Sequence, residues 1–107
     1  MTNTTPAHFR HGERDGEAML LVSGEVDLAA SPKFVEHLDT LIRAAHSPGL
    51  VDLSGVSFLD CAGLENLVQA KARAEASGVS LVLVAPSRST RRLIDLAGLT
   101  SHFEIRN

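Results

Sequence analysis

Few residues in this chain could do chemistry, and the most conspicuous is its single cysteine. Cys61 follows Asp60 at the point where an apolar run gives way to helical periodicity. A carboxylate at such a junction suits a helix N-cap, because it accepts from an orphan amide and faces the positive end of the helix dipole. The next side chain then stands at the helix mouth, among outward-pointing N–H groups. That setting favours a thiolate, the nucleophilic form of cysteine, whereas the neighbouring Asp60 charge opposes it. Nucleophilic catalysis also needs a base, and none is evident. A dithiol motif would require a cysteine where Leu64 stands, and a cysteine-phosphatase loop would require an arginine where Leu67 stands.

The remaining candidates are equally spare. His8, His11, His37, His46 and His102 complete no ligand set at a recognised metal-binding spacing, and they read as surface histidines. His8 and His11 fall in a predicted strand at a separation that points them to opposite faces. Arg88, Arg91 and Arg92 cluster on a predicted helix and read as a solvated face. No glycine pattern suited to cradling a phosphate occurs. The chain therefore reads as a non-enzyme with no catalytic residues, metal or cofactor.

The elements that must position Asp60 and Cys61 are legible from periodicity and turn signals. Residues 1–7 are polar and read as a flexible tail, with the domain spanning 8–107. A short edge strand at 8–11 turns through Gly12–Gly16 into a clear strand at 18–22, which ends at the polar break Ser23-Gly24-Glu25-Val26-Asp27. Ser31-Pro32 predicts an N-cap and a first helical position, opening a helix over 32–46 whose apolar side carries Phe34, Val35, Leu38, Leu41, Ile42 and Ala45. A strand at 50–53 precedes a loop at 57–62. A helix over 61–77 follows, with Leu64, Leu67, Val68 and Ala72 on its apolar side. Gly78 and Gly98 fit the left-handed position after a helix, each followed by an apolar residue, Val79 and Leu99. The nearly continuous apolar run 79–85 predicts a strand covered on both faces. A helix over 88–97, with Leu93, Ile94 and Ala97 inward, and a last strand at 103–105 complete the chain. The fold class is α/β, one domain with a mixed sheet in the order β-β-α-β-α-β-α-β. Strands two to four are expected to be parallel through right-handed helical crossovers.

Bulk properties remove several functions. With 107 residues the chain suits one domain, and with 44% hydrophobic and 21% charged residues it has an ordinary globular composition. A net charge of −3 argues against a nucleic-acid partner. No apolar run approaches the roughly 18 residues of a membrane span, and the N-terminus lacks the pattern of a signal peptide. One cysteine cannot form an internal disulfide, which points to a reducing cytoplasm.

Three stretches in order resemble one family, the STAS domain, and within it the bacterial anti-sigma factor antagonists. Ser23-Gly24-Glu25-Val26-Asp27 resembles that family's G-E-[LV]-D turn. The block from Asp52 to Leu64, reading D-L-S-G-V-S-F-L-D-C-A-G-L, resembles its signature D-L-x-x-[LV]-x-F-[ML]-D-S-[SA]-G-L. Arg92-Leu93-Ile94-Asp95-Leu96-Ala97-Gly98-Leu99 is similar to its R-L-[LF]-x-x-[ST]-G-L segment. Gly24, Gly63, Leu64, Gly98 and Leu99 are the structural positions of these motifs.

The resemblance implies a protein-binding switch in transcription control. Family members bind a kinase-type, ATP-binding anti-sigma factor and release the sigma factor it holds. The kinase phosphorylates the hydroxyl residue after the signature Asp, placing a charge of about −1.5 to −2 in the binding surface. Here Cys61 occupies that switch position, while Asp60, Ala62, Gly63 and Leu64 match. The partner surface implied comprises Asp27, Ser57, Asp60, Cys61, Ala62 and Glu65, and self-association into a homodimer is left open. A second departure is that family domains usually continue into a final helix, absent before the end at Asn107. The same resemblance allows an alternative role, as a non-catalytic subunit of a lipid-transport ATPase or a stress-signalling complex.

Overall fold

A computed structural model describes residues 5–107. The strands are β1 (His8–Arg14), β2 (Glu17–Val26), β3 (Gly49–Leu59), β4 (Leu81–Val84) and β5 (Glu104–Arg106), and the helices are α1 (Ser31–Ala44), α2 (Cys61–Ala76) and α3 (Arg88–Leu96). They form one mixed sheet in the spatial order β1-β2-β3-β4-β5. β1 and β2 are antiparallel, and β2 through β5 are mutually parallel, each parallel step made through a helix. The element order expected from the sequence is therefore present. The β1–β2 hairpin closes on Asp15 and Gly16 alone, both with positive φ, the conformation that an Asp-Gly pair favours in a two-residue turn.

Several boundaries differ from expectation, and the differences share a cause. β2 runs through Gly24 and Glu25 to Val26, and β3 runs through Ser57 to Leu59, where a polar break and a loop were expected. The two strands keep pairing as far as Val26 and Leu59 by passing register shifts near Ser23 and Glu25. Irregularities of this kind let a ladder continue past residues that break the apolar alternation. Gly24 sits at φ +83°, and a Cβ there would lie 2.3 Å from the Pro6 carbonyl oxygen. That close approach belongs to Thr5 and Pro6, which run beside Glu25, whose amide donates to the Thr5 carbonyl at 2.9 Å. Of the expected tail, residues 1–4 lie outside the described residues, and residues 5–7 lie against the end of β2.

α1 and α2 cover one face of the sheet. Phe34, Leu38, Leu41 and Leu67 pack there on Leu20, Val22, Val51, Leu53, Leu81 and Leu83. On α2 the buried small residues are Ala70 and Ala74, whereas Ala72, expected inward, is exposed; on α3, Ala97 is likewise exposed. The helical stripe is thus rotated slightly from the one that the leucines suggested. The opposite face carries a smaller cluster of Met19, Leu50, Val82 and Val84. Arg106 of β5 reaches across that face to Glu17 of β2, with Nη1 3.3 Å from Oε1. No helix among the described residues is long and apolar enough to cross a membrane.

Candidate functional site

β2 and β3 are the two longest strands, and they project beyond β4, which pairs with β3 only over Gly49–Asp52. Their carboxyl ends lie side by side, with Glu25 opposite Phe58 and Val26 opposite Leu59. One residue past each end stands an aspartate, and both aspartates cap helices. Asp27 accepts from the Ala30 amide at 3.0 Å and closes the single 3₁₀ turn Leu28–Ala30, which runs directly into α1. Asp60, in extended conformation, accepts from the Gly63 amide at 3.0 Å and opens α2. The Asp60 amide donates back to the Val26 carbonyl at 3.3 Å, so the two exits are tied to each other.

Gly63 makes this junction compact. A Cβ at Gly63 would stand 2.4 Å from Leu59 Cδ1 and 3.2 Å from the Val26 carbonyl oxygen. Only glycine lets the first turn of α2 settle this deeply onto the strand ends. With Gly63 and Leu64 buried, the first turn turns Cys61 outward. Ala62 is half-buried, and Glu65, one turn after Cys61 on the same helical face, is exposed and accepts from Gln69 at 3.0 Å.

Ser57 is exposed, but as part of β3 rather than of a loop, and its carbonyl accepts from the Ser89 hydroxyl at 3.3 Å. The surface around the two exits is acidic and apolar together. Glu25, Asp27, Asp60 and Glu65 provide carboxylates, and Leu28 (72% exposed) and Phe58 (48% exposed) leave large side chains in solvent. The arrangement sets Asp60 just before Cys61 and Glu65 one turn after it. It can present a shape and a charge pattern.

Sequence reasoning missed three contributors. Asn66 is a buried polar residue whose amide donates to the Ser31 hydroxyl at 2.7 Å, clamping α2 to the start of α1 beneath the junction. Ser31 was expected to be the N-cap of α1. It is instead the first helical residue, with Ala30 at the cap and no side-chain cap bond, because Asp27 caps the preceding 3₁₀ turn and frees the Ser31 hydroxyl for Asn66. The exposed Leu28 and Phe58 carry no motif signal. Phe58 follows a register shift and precedes the buried Leu59, so it faces away from the main core and is 48% exposed.

This mixed sheet, with paired carboxyl-terminal exits opening into capped helices, defines a class. Residues 10–107 match the sequence model of the STAS domain, and the chain belongs to that family. Among its relatives is the anti-sigma-F factor antagonist RsfB of Mycobacterium tuberculosis, 30% identical over 93 residues that cover 87% of this chain and 75% of RsfB. An anti-sigma-B factor antagonist of Listeria monocytogenes is 32% identical over 96 residues, covering 89% of this chain and 84% of that protein. The crystal structure of an anti-sigma factor antagonist from Mycobacterium paratuberculosis superimposes with a TM-score of 0.81 at 26% identity, covering 94% of this chain and 86% of that one.

Proposed function

We propose that this protein is an anti-sigma factor antagonist that binds a kinase-type, ATP-binding anti-sigma factor in the cytoplasm and so frees a sigma factor for transcription. The observation that carries the reading is the outward Cys61 at the mouth of α2, flanked by the Asp60 cap and by the acidic exit of β2. It coincides with relatives that are named for antagonising anti-sigma factors. The partner surface in this reading comprises Asp27, Ser57, Asp60, Cys61, Ala62 and Glu65, with Leu28 and Phe58 as its apolar anchors. Its carboxylates would steer a basic surface on the partner, and its apolar side chains would supply most of the affinity once desolvated.

In this reading Cys61 takes the place of a phosphorylated hydroxyl. A kinase that forms phosphoesters on serine finds a thiol there, and Ala62 offers no substitute. The antagonist is therefore always competent to bind. The cleanest test is charge reversal at Glu65, which is exposed and caps nothing. Glu65→Lys should weaken binding to the purified anti-sigma factor while leaving the melting temperature unchanged. Undiminished binding would remove this face from the interface. Asp27 is less suitable, because its carboxylate also holds the Ala30 amide.

A further inference from the structure

The fold assembles one pair from the histidines that look isolated in the sequence. His11 lies on the edge strand β1 and His37 on α1, and His11 Nε2 stands 2.9 Å from His37 Nδ1. The ring centroids are 5.1 Å apart and the rings are tilted by 34°. His37 is not free to turn. Its ring stacks on Phe9 at 4.8 Å and 18°, and Phe9 stacks in turn on the buried Phe34 at 5.8 Å. An aromatic column rooted in the core thus braces one imidazole, and the second meets it nitrogen to nitrogen.

Two imidazoles at this distance share a single proton, one ring donating and the other accepting. The same nitrogens suit a shared metal ion. Two donors, each bound at about 2.0–2.1 Å on adjacent positions of a tetragonal or tetrahedral ion, stand roughly 2.9–3.3 Å apart. The rings now meet nearly head-on, so binding an ion requires the exposed His11 side chain to draw back and re-aim its nitrogen.

We propose that His11 and His37 form a two-histidine site for a borderline divalent transition metal of the Ni²⁺ or Zn²⁺ class, with water at the remaining positions. No group of three or more histidine, cysteine or carboxylate side chains is arranged to hold a metal ion among the described residues, so the site is open and weak beside a four-ligand structural zinc site. Its ligands come from different elements and meet only in the folded chain. Metal therefore binds the native state selectively and pins the edge strand to α1.

The test uses the untagged full chain, stripped with EDTA and dialysed, then titrated calorimetrically with NiCl₂ and melted with and without it. The expected result is saturable binding of one equivalent and a melting temperature raised by several degrees. His11→Gln and His37→Gln should each weaken binding by at least about tenfold and abolish the thermal shift, since loss of a ligand costs no less than loss of an outer-shell partner. Circular dichroism of the metal-free variants checks that they remain folded. His8→Gln, His46→Gln and Cys61→Ala should bind as the parent does. Absence of saturable binding, binding unchanged in His11→Gln or His37→Gln, or binding lost in Cys61→Ala would each overturn the proposal.

Discussion

The Asp60 amide donates to the Val26 carbonyl across 3.3 Å, and through that bond the exit of β3 is fastened to the exit of β2. Each exit caps its own helix, so the position of Cys61 depends on both strands. Disturbing the packing at this point should move the proposed interface as well as lower stability.

Gly63→Ala is the sharpest test of that packing. The added methyl meets Leu59 at 2.4 Å and the Val26 carbonyl oxygen at 3.2 Å, and the second neighbour is backbone that cannot swing away. Overpacking of this kind costs about 1–3 kcal/mol. Urea denaturation should show the loss as a lower midpoint with an unchanged slope. A variant as stable as the parent would mean that the first turn of α2 is not seated as described.

Asp60 combines two roles that substitution can separate. Asp60→Ala removes the acceptor of the Gly63 amide and should cost about 1 kcal/mol. Asp60→Asn keeps an acceptor oxygen and should retain most of that stability while losing the charge. If binding to the anti-sigma factor falls in Asp60→Asn although the melting temperature holds, the carboxylate contributes to recognition and not only to the fold. Equal binding in both forms would confine Asp60 to capping.

Leu28 and Phe58 are exposed apolar residues beside acidic neighbours, and neither supports the core. Leu28→Ser and Phe58→Ser should leave thermal stability within about 0.5 kcal/mol of the parent, as surface substitutions do. Each should weaken partner binding by about 1–2 kcal/mol, the scale of a good interface anchor. Calorimetric titration against the anti-sigma factor reads this directly.

Cys61→Ser supplies the hydroxyl that the parent lacks. Incubated with the cognate kinase and ATP, it should gain one phosphate, seen by intact mass, and lose partner binding, because the new charge joins the carboxylates of Asp60 and Glu65 in a contact surface. An unmodified Cys61→Ser chain would show that the kinase does not recognise this junction.

The junction was the most legible part of the sequence because its signals are local. Asp60 as N-cap and the Gly78 and Gly98 stops each follow from the conformational needs of a single residue type, whereas the turn expected over Gly12–Gly16 tightens to Asp15 and Gly16 because Gly12–Arg14 pair with β2. The lengths of β2 and β3 were illegible for the opposite reason. Glu25 is polar and stays in the ladder opposite Phe58, while Ser57 is the residue that the register shift passes over, and both facts are properties of the strand pair rather than of either segment. Asn66 reads on its own as a surface position, and its burial depends on Ser31, 35 positions away in the chain. The same limit hid His11 and His37, whose meeting is set by how α1 lies against β1. The exposed Leu28, which joins the proposed partner surface only in the fold, belongs to no motif.

The central claim is that this protein binds a kinase-type anti-sigma factor and is not switched off by phosphorylation. One measurement addresses it directly: calorimetric titration of the cognate anti-sigma factor with the parent chain before and after incubation with that kinase and ATP, with peptide mapping of the product. The account predicts equal binding in both titrations and no phosphate on Cys61 or on any neighbouring hydroxyl. Stoichiometric phosphate on Ser57 or another residue of this face with loss of binding, or no binding in either titration, would contradict it.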